Sequence, residues 1–184
     1  MNEALLVMDM QIGIVERFPD GSASLIGTLS AAIDAARTAG YLVIFVRVAF
    51  RDGAPEANSH NKSFAVISQS DVMNENAPST QVISEFTAQP GDIFVTKRRV
   101  SAFSGSDLDV VLRSKGIDSL VLAGLTTSGV VLSTLRQAAD LDFKITVLSD
   151  GCADMDAEVH RVLMEKVFPR QATVLTTREW IDQL

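Results

Sequence analysis

The sequence predicts an α/β protein with three layers, α/β/α, built on a six-stranded, mostly parallel sheet of Rossmann-like type. Three observations carry this. Short continuous apolar runs recur along the chain, which is how strands covered on both faces read. Segments with apolar residues at helical spacing separate these runs, and strands alternating with helices imply parallel pairing through crossover helices. A chain of 184 residues that is 47% hydrophobic suits one domain, residues 1–184, with enough apolar mass for a sizeable core.

The elements follow in order. Residues 4–8 form the first strand, an apolar run closed by Asp9. Residues 24–39 form a helix with Leu25, Leu29, Ala32, Ile33 and Ala36 on one face, ended by Gly40. Residues 42–48 are the second buried strand. Residues 49–91 are irregular and carry Gly53, Pro55, Asn58, Asn61, Pro78 and Pro90. So long an insertion in a compact domain is expected to wall in a binding site. Residues 93–96 form the third strand. Ser106 is the expected N-cap of a helix to Lys115, with Asp107 in its first turn and Gly116 behind it. Residues 120–123 form a strand ending at Gly124. The helix at 127–140 places Val131, Leu135, Ala138 and Ala139 on one face. A fifth strand at 143–148, a helix at 156–167 stopped by Pro169, a sixth strand at 172–175 and a short helix holding Trp180 complete the chain.

Composition narrows the function. The formal net charge is −7. Nucleic acid and anionic membrane surfaces need clustered Lys and Arg, and the run Lys97-Arg98-Arg99 is too short to supply them. The first residues have no basic leader region, and no segment approaches the roughly 20 apolar residues of a membrane helix. Cys152 is the one cysteine, which excludes an internal disulfide and a multi-cysteine metal site. His60 and His160 belong to no metal-binding pattern, so no metal and no cofactor are expected. These features describe a cytoplasmic protein acting on a small molecule.

In parallel sheets ligands bind beyond the carboxyl ends of the strands. That rule selects Asp9, Lys97, the segment from Gly124 to Val130, and Asp150. Asp9 interrupts an apolar segment, and an acid so placed is seldom buried without a partner, so pairing with Lys97 is expected. Such a pair is either a proton-transfer site or a structural salt bridge. The backbone N–H groups of Thr126, Thr127, Ser128 and Gly129, at a helix start, suit a carboxylate or a developing oxyanion; alternatively, Thr127 or Ser128 simply caps the helix. Ser128 stands outside any Gly-x-Ser-x-Gly elbow. Cys152 has no histidine near it in sequence and reads as core packing.

Together these positions resemble the isochorismatase-like hydrolases, also called cysteine hydrolases, a family that includes nicotinamidases. Leu5-Leu6-Val7-Met8-Asp9-Met10-Gln11 is similar to the family's first strand and its catalytic aspartate. Lys97-Arg98-Arg99-Val100-Ser101-Ala102-Phe103 is similar to its catalytic-lysine segment. Ala123-Gly124-Leu125-Thr126-Thr127 resembles the turn that holds a non-proline cis peptide, which places that bond at Leu125–Thr126. Asp150-Gly151-Cys152-Ala153 resembles a segment whose cysteine is not the nucleophile. The family's nucleophilic cysteine lies six residues after the turn's glycine, and here that position is Val130. Thr134 and Arg136 keep the family spacing, so the register stands. The metal ligands of nicotinamidases are also missing.

The resemblance implies a hydrolase with Asp9 and Lys97 in catalytic roles and no covalent cysteine intermediate, because valine forms no thioester. True isochorismatases also lack the cysteine. For them the resemblance implies vinyl-ether hydrolysis, with the aspartate protonating the substrate. True isochorismatases carry a different turn, with glycine at the cysteine position, so their own substrate is not carried over, and the expected substrate is a small carboxylate-bearing or vinyl-ether-like metabolite. Gln11 and Arg47 are candidates for pocket polarity and Phe103 for its wall. The alternative is a catalytically inactive relative that binds a small ligand or a protein partner. A third reading shifts the nucleophile to Ser128 or Cys152. The resemblance also implies a homo-oligomer, dimer or tetramer.

Overall fold

The computed structural model describes residues 2–18, 22–66 and 71–184. Six strands form one sheet in the order β3-β2-β1-β4-β5-β6, all parallel. They are β1 (Glu3–Met8), β2 (Leu42–Val48), β3 (Ile93–Lys97), β4 (Ser119–Leu125), β5 (Lys144–Ala153) and β6 (Thr173–Leu175). The helices are α1 (Ile12–Val15), α2 (Ser22–Thr38), α3 (Leu108–Ser114), α4 (Leu132–Asp140), α5 (Ala157–Val162) and α6 (Thr177–Ile181). A π-helical turn at Thr127–Val131 leads into α4, and another at Leu163–Val167 continues α5.

The strands are apolar throughout because alternate side chains enter two different cores. In β1, Ala4, Leu6 and Met8 face one core while Leu5 and Val7 face the other. Ile44 and Val46 of β2, and Leu120 and Leu122 of β4, join the first set; Val43, Phe45, Val121 and Ala123 join the second. Leu108 and Leu112 of α3, Leu135 and Ala138 of α4, and Leu163 and Met164 cover the first face. Leu25, Leu29, Ala32, Ile33 and Ala36 of α2, with Trp180 of α6, cover the second. Each such Leu, Ile or Phe contributes about 1.5–3 kcal/mol by leaving water.

Gly124 lets the two central strands close up. It pairs with Met8 at φ +127°, and a Cβ there would lie 2.0 Å from the Met8 carbonyl oxygen. The chain order runs outward from β1 in both directions, so a switch point lies at the carboxyl end of β1, where Asp9 sits.

Two expectations are corrected. Strand β5 does not end near Leu148. Its pairing with β4 jumps from Leu122–Val147 to Gly124–Cys152, so residues 148–151 bulge out before the ladder resumes. Asp150, on that bulge, accepts hydrogen bonds from the Thr177 backbone N–H (2.7 Å) and hydroxyl (2.8 Å) at the start of α6. It serves a helix end, not the crevice. The N-cap of α3 is Asp107, not Ser106. Ser106 still accepts from the Leu108 N–H (3.3 Å) but donates back to Ala102 O (2.6 Å), which draws it into the preceding turn.

Of the irregular insertion, residues 67–70 lie outside the described residues. The rest is tied to the sheet. The Phe50 N–H donates to Met73 O, the Glu75 N–H donates to Phe50 O, and Gln11 bridges to Val82.

Candidate active site

Asp9 follows β1 with its backbone in the left-handed region, φ +54°, held by an N–H bond to Val46 O of 2.8 Å. This conformation costs a non-glycine residue about 1–2 kcal/mol, and such residues persist where the surroundings over-determine them. Lys97 ends β3, two strands away. Two strand spacings are roughly 10 Å, a gap the long lysine side chain can cross. Its Nζ lies 2.9 Å from Asp9 Oδ2 and donates to Arg99 O at 3.0 Å. Both side chains are buried, at 7% and 2% exposure.

Asp9 Oδ1 is buried and has no hydrogen-bond partner among the described residues. The Asp9 carboxyl is raised above its ordinary value of 3.8. Burial is the larger cause; the Lys97 ammonium and the Val48 backbone pull it back. Burial thus outweighs the Lys97 ammonium in setting the direction of the shift.

The pair opens on a cavity of about 330 Å³. Val48, Phe64, Leu125 and Val130 wall it, Thr126 and Gly129 close one side, and Met155 and Arg17 stand at its rim. Val130 is 2% exposed, so its isopropyl group fills the space where the resemblance puts a nucleophile.

The turn beside it is shaped by its backbone. The Leu125–Thr126 bond is cis. Thr126 caps the turn: its hydroxyl accepts from the Gly129 N–H at 3.2 Å, and its carbonyl accepts from Gly129 and Val131. The Ser128 N–H donates to Asp154 Oδ2 at 2.7 Å, and the Thr127 hydroxyl meets His160 Nδ1 at 2.8 Å. Burial lowers His160, and Asp154 opposes that. These bonds occupy the N–H groups of Ser128 and Gly129, which leaves neither as a ready oxyanion donor.

Other expected site residues stand elsewhere. Gln11 is fully buried and spends its side chain on the backbone: it donates to Val48 O and Thr80 O, each 2.9 Å, and accepts from the Val48 N–H at 2.8 Å. It fastens α1 to β2 and to the insertion. Arg47 bonds to Thr96 Oγ1 (3.1 Å) and Gln81 Oε1 (3.0 Å). Its neighbour Thr96 alternates with Lys97, which puts Arg47 on the opposite face of the sheet. Phe103 packs in the core against Phe143, ring centres 6.0 Å apart, and does not line the cavity. Cys152 is buried and its thiol is pushed up to about 12, mainly by burial, which makes a thiolate scarce at neutral pH. No group of three or more His, Cys, Asp or Glu able to hold a metal occurs among the described residues. Sequence reasoning missed Phe64, Met155 and Arg17. The irregular segments that carry them have no periodicity, and only the cluster Ile14, Arg17 and Phe18 just after the first strand end offered a signal.

A larger groove of about 1080 Å³ runs along β3 between Arg51, Glu56, Phe94 and Val110. It contains neither Asp9 nor Lys97. Of its three arginines, Arg51 and Arg98 are paired with Glu56, Arg98 also with Glu75, and Arg99 donates to Arg98 O. Glu56 Oε2 in the groove is, like Asp9 Oδ1, buried without a hydrogen-bond partner among the described residues, but the smaller cavity is the one that meets the Asp9–Lys97 pair.

A doubly wound sheet with a buried acid–ammonium pair at its switch point, opening on a mostly apolar cavity, defines an α/β protein with a candidate site at that switch point. The chain belongs to the isochorismatase family: the isochorismatase domain matches residues 3–179. It is 33% identical over 181 residues to an uncharacterized isochorismatase family protein, YwoC, of Bacillus subtilis (strain 168), covering 98% of this chain and 93% of that one. It is also 33% identical to the ureidoacrylate amidohydrolase RutB of Variovorax paradoxus (strain S110), covering 88% and 75%. A crystal structure of a cysteine hydrolase from Pseudomonas syringae pv. phaseolicola 1448A superposes with a TM-score of 0.91 at 26% identity, covering 99% and 92%. The chain is thus an isochorismatase-like hydrolase by family. Among the described residues, no helix is long and apolar enough to cross a membrane.

Proposed function

We propose that this protein hydrolyses a small carboxylate-bearing or vinyl-ether-like metabolite without a covalent enzyme intermediate. In this reading protonated Asp9 is the acid. It gives its proton to the terminal carbon of a vinyl ether, leaving an oxocarbenium ion. Water adds to that ion, and the resulting hemiketal breaks to an alcohol and a carbonyl compound, returning a proton to Asp9. One water is consumed and no nucleophile from the protein is needed. Lys97 fixes Asp9 Oδ2 and stabilises the carboxylate formed after transfer.

The observation that carries this reading is the unpartnered Asp9 Oδ1, buried in an acid that burial raises and lining the cavity. Val130 supports the non-covalent route. The reading also takes the protein to act in the cytoplasm as a dimer or tetramer, without metal or cofactor; the family resemblance and the net charge of −7 support this. The test is a screen of vinyl ethers and small carboxylates by NMR, with Asp9→Asn alongside. Turnover that Asp9→Asn abolishes is expected; full activity in that variant sinks the assignment.

Val130 also motivates a second reading, an inactive relative that binds a small ligand or a protein partner. It predicts tight binding with no product at any pH.

A further inference from the structure

We infer that Arg17 is the anion anchor of this cavity, and that the ligand is a small carboxylate with an apolar body. The inference concerns the site of the proposed reaction and rests on that reading for the cavity's being a ligand site.

Three charged side chains line the cavity: Asp9, Lys97 and Arg17. Lys97 is held by Asp9 Oδ2 at 2.9 Å and spends a second donor on Arg99 O. Arg17 is exposed at the rim, and its guanidinium has no ion-pair or hydrogen-bond partner among the described residues. Several other arginines are committed: Arg37 to Asp92, Arg98 to Glu75, Arg113 to Asp109, Arg161 to Glu158 and Arg178 to Asp182. With Lys97 engaged by Asp9 and Arg99, Arg17 is the cation of this wall left free to meet an anion.

The shape of the guanidinium narrows the choice. Its planar fork matches a carboxylate through two parallel hydrogen bonds. A phosphate dianion calls for more than one uncommitted cation. The walls between Arg17 and Asp9 include Ile14, Phe18, Val48 and Phe64, which suit an apolar ligand body. At about 330 Å³ the space lies near the lower end for small-molecule sites. A polar atom of the ligand meets Asp9 Oδ1, the unsatisfied atom of the wall.

The test reads binding alone. Ligand-observed NMR titrations of wild type and Arg17→Gln use acetate, crotonate, benzoate and phenylphosphonate, with the neutral amide of each carboxylate. Wild type is expected to bind at least one carboxylate about tenfold tighter than its amide, and tighter than the phosphonate. Arg17→Gln erases that preference and leaves amide binding unchanged. Because Arg17 is exposed, the variant keeps the wild-type melting temperature. The inference is overturned if no carboxylate outbinds its amide, if the phosphonate binds best, or if Arg17→Gln keeps the preference.

The two readings fail separately. Arg17-dependent carboxylate binding with no turnover of any vinyl ether removes the reaction and keeps the anchor. Equal turnover of neutral and acidic vinyl ethers removes the anchor and keeps the reaction.

Discussion

The two sides of the cavity are built by different means. On the β1–β3 side the working parts are side chains: a carboxylate and an ammonium 2.9 Å apart, placed by strand register. On the β4–α4 side the parts are backbone: a cis bond, a π-helical turn and carbonyls that accept the turn's N–H groups. Nothing in that turn's bonding uses the side chain at 130. The turn therefore keeps its shape with a valine where the resemblance expects a cysteine. Scaffold and chemistry are separable here, and the charged side carries the proposed reaction alone.

The largest expected effect comes from removing the proton donor. Asp9→Asn keeps the shape of the side chain, and turnover in the NMR screen should fall by about 10²–10⁴-fold, the usual contribution of a positioned acid. Next comes restoring the missing group. Val130→Cys puts a thiol at the cavity wall, and iodoacetamide at pH 8 should label it at least about 100-fold faster than Cys152 in wild type. Intact mass reads this as one adduct on the variant and none on wild type. Equal labelling would mean that residue 130 does not face the cavity.

The smallest effect is on stability. Lys97→Met removes the ammonium held 2.9 Å from Asp9 Oδ2 and should cost about 3 kcal/mol by urea unfolding at a pH where Asp9 is ionised. The sign of its pH dependence follows from Asp9. Its carboxyl is raised in the fold, so protonation favours the folded state. That contribution is fully present below the unfolded value near 3.8 and is lost as pH rises through the folded value. The deficit of Lys97→Met should therefore shrink as pH falls through the raised Asp9 value, where Asp9 takes up a proton. A deficit that grows with acid would contradict the assignment of burial as the main cause.

What was legible in the sequence is what local pattern controls. The apolar runs at 4–8 and 42–48 match β1 and β2 within a residue, because a strand buried on both faces has no polar position to blur its ends. Asp9 and Lys97 stood out as charges at the ends of such runs. The end of β5 was not legible, because a bulge is decided by pairing with β4, not by the residues 148–151 themselves. Gln11 looked like site polarity, yet its amide is consumed by Val48 and Thr80, a contact made only when the insertion folds back. Arg17 and Phe64 reach the cavity from irregular chain for the same reason.

The most direct test of the account is the titration of Asp9 itself, read from its ¹³C carboxyl shift in wild type and in Lys97→Met. The account predicts a midpoint clearly above 3.8 in wild type, moving higher when the ammonium is removed. A wild-type midpoint at or below 3.8 would mean that Lys97 outweighs burial, that Asp9 is a fixed anion at working pH, and that it cannot be the acid of the proposed reaction.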